Sequence, residues 1–162
     1  MCQGATPNTL IVAGGISFEM GRWGVRNKDF MRYNTRKRMW TSILAETEMS
    51  MLYGQSACQY GDNLLLFGGS TGLNFSNELY EYNTCSNRWR KLATIGQKPS
   101  PRYKHQAVIM GHKMYIVGGG CLKPFTEVYC LDLKTLVWEE TKMRVRGRLR
   151  LPRVVLYILY SI

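Results

Sequence analysis

Four consecutive residues, Arg102, Tyr103, Lys104 and His105, place cations and an aromatic ring directly before an apolar run. A guanidinium at the start of such a strand can bind a carboxylate through two parallel hydrogen bonds. Arg102 therefore predicts a contact with an acidic side chain or with the C-terminus of a peptide. The alternative is an arginine at a strand edge that pairs with a nearby acid of the same chain.

A second cationic segment is the predicted loop over residues 16–29, the longest connection between predicted strands. It carries Arg22, Trp23 and Arg26. Exposed aromatic side chains beside arginines are typical of protein-binding hot spots. The loop therefore predicts partner contacts by these three residues, and the alternative is a solvated insertion of variable sequence.

Catalytic and metal chemistry find little support in the sequence. The chain has two histidines and contains neither H-x-x-x-H, nor C-x-x-C, nor a glycine-rich loop of phosphate-binding spacing. The adjacent acids Glu139 and Glu140 project to opposite sides of a predicted strand, so they do not form an acid–base pair. We therefore predict a protein that is not an enzyme and that has neither a metal site nor another cofactor.

A repeat in the sequence predicts the structural elements that position the candidate residues. An apolar run closed by two glycines leads to a second apolar run and then to a tryptophan, and successive tryptophans lie 49 residues apart. A period this strict predicts a repeat architecture in which the recurring residues are structural. They are Gly14, Gly15, Tyr33 and Trp40, then Gly68, Gly69, Tyr82 and Trp89, then Gly118, Gly119, Tyr129 and Trp138.

Each repeat has the composition of four short strands. The residues before each diglycine are large and apolar, as in a buried strand, and hairpin turns such as residues 61–63 precede them. Four antiparallel strands in 49 residues are typical of one β-propeller blade. The sequence thus predicts an all-β fold of about three blades with four antiparallel strands each, which is an incomplete propeller.

The diglycine, the tyrosine-containing strand and the spaced tryptophan resemble kelch repeats across residues 10–141. The resemblance gives repeats at residues 10–44, 53–92 and 102–141, preceded by a partial first strand or leader (1–9) and followed by an atypical tail, basic and then apolar (142–162). Kelch propellers close with about six or seven blades. This interpretation therefore predicts a fragment or isoform whose unpaired blade faces promote self-association.

More than half of the net charge of +11 lies in the tail. Six cations and no acid occur in residues 142–153, which leaves +5 for the remaining chain. A cationic tail can bind nucleic acid through counterion release, but an unselected extension has the same composition, and we predict that nucleic acid is not the partner.

No signal peptide or membrane-spanning run is visible, and five cysteines without a C-x-x-C pair indicate reduced thiols. A cytoplasmic or nuclear protein is expected.

Within the kelch family, residues 99–105 and 114–120 resemble the kelch-domain-containing propellers that lack a BTB domain. That resemblance implies a binding module that recognises substrates for a cullin-RING ubiquitin ligase, with elongin and cullin as partners. It also implies that Arg102 and Lys104 contact the C-terminal carboxylate of a protein or peptide ligand. No elongin-binding box is found in the sequence. The alternatives are an actin-binding or cytoskeletal scaffold and a truncated isoform with impaired binding.

Overall fold

A computed structural model of the protein describes residues 8–19, 22–26, 29–47, 49 and 52–142, and every regular element among them is a β-strand. The strands are β1 (Thr9–Ala13), β2 (Ile16–Glu19), β3 (Arg22–Arg26), β4 (Phe30–Asn34), β5 (Met39–Ser42), β6 (Ser56–Tyr60), β7 (Asn63–Ser70), β8 (Phe75–Asn83), β9 (Arg88–Leu92), β10 (Ile95–Gly96), β11 (Gln106–Met110), β12 (Lys113–Val117), β13 (Val128–Asp132) and β14 (Val137–Glu140). The predicted all-β fold is confirmed. Within this described part, no helix is long and apolar enough to cross a membrane.

Three sheets correspond to propeller blades. Blade 1 contains β1, β4 and β5; blade 2 contains β6 to β9; blade 3 contains β10 to β14. In blade 2 each strand pairs antiparallel with the next strand of the chain. Its outer turns reverse at Gly61 and Asn87, whose φ angles of 58° and 57° are left-handed values that glycine and asparagine tolerate. Blade 2 matches the predicted four-stranded pattern.

Blades 1 and 3 depart from that pattern. In blade 1, β4 pairs with β1 and β5, and no described strand pairs with the other edge of β1. In blade 3, the short strand β10 runs parallel to β14 and adds a fifth, outermost strand. The strands β2 and β3 form a separate hairpin, so the prediction of a loop over residues 16–29 was wrong in part. The aromatic and β-branched residues in this segment of the sequence favour strand pairing over a loop.

The predicted ends of the chain fall mostly outside the described residues. Residues 1–7 of the predicted leader and residues 143–162 of the predicted tail are not described, so the role of the tail stays a prediction. The boundaries at 10–44, 53–92 and 102–141 also stay predictions.

Alternating residues of β7 face two different neighbours. Leu65 and Phe67 belong to one buried cluster, and Leu66 between them belongs to another. The first cluster joins blades 2 and 3 and contains Leu65, Phe67, Leu79, Leu92, Met114, Ile116, Leu131 and Trp138. The second joins blades 1 and 2 and contains Phe30, Ile43, Leu66, Tyr82 and Trp89. Because full burial of one such side chain contributes about 1.5–3 kcal/mol, these two interfaces hold the blades together.

The tryptophan of each repeat lies on the face that its blade turns toward the preceding blade. Trp89 and Trp138 are 7% and 1% exposed, whereas Trp40 is 51% exposed because no described strand precedes blade 1. Each tryptophan has a register partner on the strand that precedes its own in the sheet, and the pairs are Tyr33 with Trp40, Tyr82 with Trp89 and Leu131 with Trp138. Trp138 also pairs with Gly96 of β10 on its other side. Tyr129 therefore lies two residues before the position that tyrosine holds in blades 1 and 2.

The diglycine of blade 2 marks the place where the segment entering blade 3 crosses it. The carbonyl of Arg102 accepts a hydrogen bond of 2.9 Å from the Gly69 amide, and the Arg102 amide donates to the Ser76 carbonyl at 3.0 Å. A Cβ on Gly68 would lie 2.7 Å from the Arg102 carbonyl oxygen. Two backbones approach here so closely that a side chain at Gly68 has no room, which explains the glycine.

Each connection between blades also covers the outer edge of the next blade. The Glu46 amide donates to the Asn87 carbonyl at 2.9 Å, beside β9. The Gln97 amide donates to the Trp138 carbonyl at 2.9 Å, beside β14. We name these two segments, residues 46–47 and 95–97, the outer straps. They satisfy backbone groups that an open sheet edge would leave unpaired.

Candidate protein-binding face

One end of blades 2 and 3 exposes apolar and aromatic side chains. Because neighbouring strands alternate in direction, the β7–β8 and β12–β13 connections lie at the same end as the segments that enter β6 and β11. Leu73 and Leu122, at the tips of the two connections, are 92% and 96% exposed. We name this end the loop face and define it by Tyr53, Leu73, Phe75, Tyr103, Lys104 and Leu122. Apolar tips beside aromatic rings are typical of a protein-binding surface.

Two tyrosines of the loop face are positioned by β-bridges. Tyr53 pairs with Ser70, and Tyr103 pairs with Gly120, each through two backbone hydrogen bonds of 2.9 and 3.1 Å. The two tyrosine rings meet edge to face with their centroids 6.1 Å apart, and the Phe75 ring lies 5.1 Å from that of Tyr103. All three rings are half-buried, so each keeps a surface that a partner can contact.

Lys104 places a positive charge beside these rings. Its Nζ lies 5.2 Å from the centroid of the Tyr103 ring, within cation–π range. The Lys104 backbone has a φ of 54°, and the corresponding residue of blade 2 is Gly54, with a φ of 64°. A left-handed backbone costs a lysine about 1–2 kcal/mol, and strain of this kind is typical of functional positions.

Arg102 is buried and is not presented to solvent; the whole residue is 1% exposed. Its Nε donates to the Ser100 carbonyl at 3.0 Å, and its Nη1 donates to the Gly118 carbonyl at 2.9 Å. The guanidinium stacks on Phe125, 4.4 Å from the ring centroid. Burial lowers the pKa of Arg102, and the negative charge of Glu127 partly opposes this.

These contacts give Arg102 a joining role between the entry to β11 and the β12–β13 connection. These bonds use two of the five N–H donors of the guanidinium, so a carboxylate contact by Arg102, as predicted from the sequence, would require a ligand to reach the remaining donors of a residue that is buried. That contact stays a prediction, and Lys104 is the better placed of the two predicted cations because it is exposed. The sequence did not separate them, since the ring that stacks on Arg102 lies far along the chain.

The predicted contact residues Arg22, Trp23 and Arg26 lie on β3. Their Cα partners on β2 are Glu19, Phe18 and Ile16, respectively. Among the described strands, β3 pairs only with β2, so the hairpin stands apart from the sheet of blade 1. The role of these three residues in partner binding stays a prediction.

His105 lies beneath the loop face and is 3% exposed. Its Nε2 is 2.8 Å from the Ser56 Oγ, and its ring packs edge-on against Phe67 at 5.3 Å. Burial, and secondarily the positive charge of Arg102, lower the pKa of His105 to about 4. The imidazole is therefore neutral at pH 7 and acts as a structural group between blades 2 and 3.

The low pKa of His105 predicts a loss of stability in mild acid. The unfolded chain binds this proton near pH 6.5, whereas the folded chain resists it until about pH 4. The stabilising contribution is therefore complete above pH 6.5 and is lost as the pH falls toward 4. We expect the free energy of unfolding to decrease by about 2 kcal/mol between pH 6.5 and pH 5 through this group.

Urea denaturation at several pH values tests this, with the His105→Gln variant expected to lose that part of the pH dependence. His112→Gln is the matched control, because the His112 side chain is 43% exposed. Identical pH dependence in the wild type and in His105→Gln would contradict the prediction.

A cleft of about 270 Å³ lies between blades 1 and 2, at the end opposite the loop face. Its walls include strand β1 and the β6–β7 turn, with Thr9, Leu10, Ile11, Arg32, Asp62 and Asn63 among the lining residues. No group of three or more potential metal ligands occurs in the part of the chain that the structure describes. The predicted absence of a metal site stays a prediction.

Sequence reasoning missed Leu73, Phe75 and Leu122 as surface residues. One signal in the sequence could have indicated an exposed apolar side chain: an apolar residue inside a turn-forming segment. Leu73 is such a residue, because it lies between Gly72 and Asn74. The alternation of apolar residues along strands gave no information on these loop tips.

Comparison with known proteins decides the family. A family model described as the KLHDC2/KLHL20/DRC7 Kelch-repeats domain matches residues 1–158. The chain belongs to the kelch-repeat family. Kelch repeats bind protein partners, and the half-buried rings and exposed leucines of the loop face are groups typical of such binding.

Two relatives of this kelch chain are considerably longer than it. Kelch domain-containing protein 10 of Homo sapiens is 26% identical over 152 residues, which cover 90% of the chain and 34% of that relative. The leucine-zipper-like transcriptional regulator 1 homolog of Drosophila melanogaster is 30% identical over 137 residues, which cover 78% of the chain and 14% of that relative. The chain thus spans about a third of the length of Kelch domain-containing protein 10.

Proposed function

We propose that this kelch chain recognises the C-terminus of a protein or peptide on its loop face, as a substrate-recognition module of a cullin-RING ubiquitin ligase. The observation that carries the proposal is Lys104, an exposed cation with a left-handed backbone beside the Tyr103 ring. No other side chain of the described loop face combines charge, strain and aromatic neighbours.

The chemistry of a peptide end matches this arrangement. A terminal carboxylate can pair with the Lys104 ammonium, and the last side chains can pack on the half-buried rings of Tyr53, Phe75 and Tyr103. The exposed Leu73 and Leu122, at the tips of two connections on the same loop face, offer further apolar contact area. An ion pair at such an exposed site contributes up to about 1 kcal/mol, so most of the affinity would come from the rings and leucines.

Lys104→Gly should weaken binding of a peptide with a free C-terminus by about fivefold, which corresponds to roughly 1 kcal/mol. Glycine suits the φ of 54°, so this variant removes the charge without disturbing the fold. The probe is a peptide selected on the full chain from a library with randomised C-terminal sequences. Fluorescence anisotropy then compares its free acid with its C-terminal amide on each protein.

We expect the wild type to bind the amide about as weakly as Lys104→Gly binds the acid. Lys134→Ala is the matched control, because Lys134 is an exposed lysine in the β13–β14 turn at the opposite end. Equal affinity of the wild type for acid and amide would contradict recognition of the carboxylate. A similar loss in Lys134→Ala would show that only net charge matters.

The ligase assignment rests on the resemblance to kelch substrate receptors and implies elongin and cullin partners in the cytoplasm or nucleus. Affinity purification of the tagged chain from cells should enrich these subunits together with clients that share a C-terminal residue pattern. Co-sedimentation with actin filaments in the absence of those subunits would favour a cytoskeletal scaffold instead.

A further inference from the structure

Blade 1 exposes the face that blades 2 and 3 bury. In each of those blades the face toward the preceding blade carries a row of three residues in register, Leu64–Tyr82–Trp89 in blade 2 and Met114–Leu131–Trp138 in blade 3. Blade 1 repeats the row as Leu10–Tyr33–Trp40. Leu10 is 57% exposed and Trp40 is 51% exposed, whereas Trp138 is 1% exposed.

We define the leading face of blade 1 by the apolar residues that share this side of its sheet: Leu10, Val12, Met31, Tyr33 and Trp40. Val12 is 46% exposed, Met31 and Tyr33 are half-buried, and the exposed Ser42, the register partner of Met31, is a polar residue on the same side. The Tyr33 and Trp40 rings already pack together with centroids 4.8 Å apart. The face is therefore pre-arranged in the form in which Tyr82 and Trp89, 5.0 Å apart, pack against blade 1.

Blade 3 exposes the complementary surface. Within the chain, the leading face of blade 3 packs on Leu65, Phe67 and Leu79 of blade 2. The opposite side of blade 3 carries a group of apolar residues, and we define it as the trailing face by Val108, Met110, Tyr115, Val117 and Val128. The register places the charged pair Lys113 and Asp132 on the same side, at its border. Tyr115 holds the place of Leu65, which is 1% exposed, and Met110 on this face is 51% exposed.

We propose that the leading face of blade 1 docks on the trailing face of blade 3 in a second copy of this chain, head to tail. The argument is continuity with the two internal interfaces, since the same face types already join blade 1 to blade 2 and blade 2 to blade 3. Two copies that make both contacts form a closed ring of six blades, because head-to-tail contacts close when the rotation permits. The loop face stays open in this ring, so the inference does not depend on peptide binding.

Size-exclusion chromatography with light scattering on the full chain tests the inference. The wild type should have twice the 18.7 kDa mass of one chain. Trp40→Glu on the leading face and Tyr115→Glu on the trailing face should each have the mass of a single chain. Leu73→Glu, which places the same charge on a loop tip that is 92% exposed, should keep the wild-type mass.

Mixing the two face variants provides the sharper result. In an equimolar mixture, the intact trailing face of Trp40→Glu meets the intact leading face of Tyr115→Glu, so the mass of two chains should return through one remaining contact. This recovery also shows that both variants are folded. A monomeric wild type, a wild-type mass above two chains, an unchanged mass in Trp40→Glu, or a mixture that stays monomeric would each overturn the head-to-tail pair.

Discussion

Gly68→Ala should lower the free energy of unfolding by about 3 kcal/mol. A left-handed backbone, here with a φ of 66°, costs alanine about 1 kcal/mol relative to glycine. The added Cβ would also lie 2.7 Å from both the Arg102 carbonyl oxygen and the His105 Cε1. Because one of these atoms belongs to the backbone that enters blade 3, relief requires the two blades to move apart, and such overpacking costs about 1–3 kcal/mol.

Gly61→Ala separates the two causes. Gly61 has a φ of 58°, close to that of Gly68, but no heavy atom lies within 4 Å of the position that an added Cβ would occupy. Urea denaturation of this control should therefore report only the backbone cost of about 1 kcal/mol. Equal losses in the two variants would mean that the crossing at Gly68 is not a close contact in solution.

Arg102→Ala should also destabilise the protein by about 3 kcal/mol, although arginine replacements at surfaces are usually neutral. The variant leaves the buried Gly118 carbonyl without its donor at 2.9 Å, which costs about 1–3 kcal/mol. It also removes the guanidinium from the Phe125 and Tyr129 rings and leaves a cavity where the side chain packs. Relief of the desolvated charge offsets only part of this loss.

Arg36→Ala is the matched control, because Arg36 is an exposed arginine in the β4–β5 turn. Thermal and urea unfolding of that variant should match the wild type. The opposite outcome for Arg102→Ala, wild-type stability with loss of peptide binding, would support the carboxylate contact that the sequence predicts. Stability and affinity measured on one preparation therefore separate the two roles.

The repeat predicted the blades because packing at Trp89 and Trp138 recurs with the period of the chain. The same period could not predict β10, since Ile95 and Gly96 form only a two-residue strand whose pairing depends on β14. It also could not predict the hairpin of β2 and β3, which lies inside one repeat and has no counterpart in the others. Local pairing decides these elements, and no repeated signal marks them.

The candidate site was predictable only in part. The sequence predicted Lys104 as a candidate contact because of its charge. Its left-handed backbone could also have been predicted, because a glycine, Gly54, holds the corresponding place before β6. The burial of Arg102 had no local signal, since the Gly118 carbonyl and the Phe125 ring that cover its guanidinium come from the β12–β13 connection. From charge alone, Lys104 and Arg102 are equally good candidates for contacting a ligand. Tertiary packing distinguishes them, because it buries Arg102 and leaves Lys104 exposed.

The outer straps have a consequence for the order in which the protein is made. Residues 46–47 leave the ribosome before β9, and residues 95–97 leave it before β14, because chains emerge from the N-terminus. The segment that covers the edge of β9 and the segment that covers the edge of β14 thus exist before those strands. An edge that is paired as soon as it forms has little time to bind a neighbouring nascent chain, so the direction of synthesis protects blades 2 and 3 from aggregation.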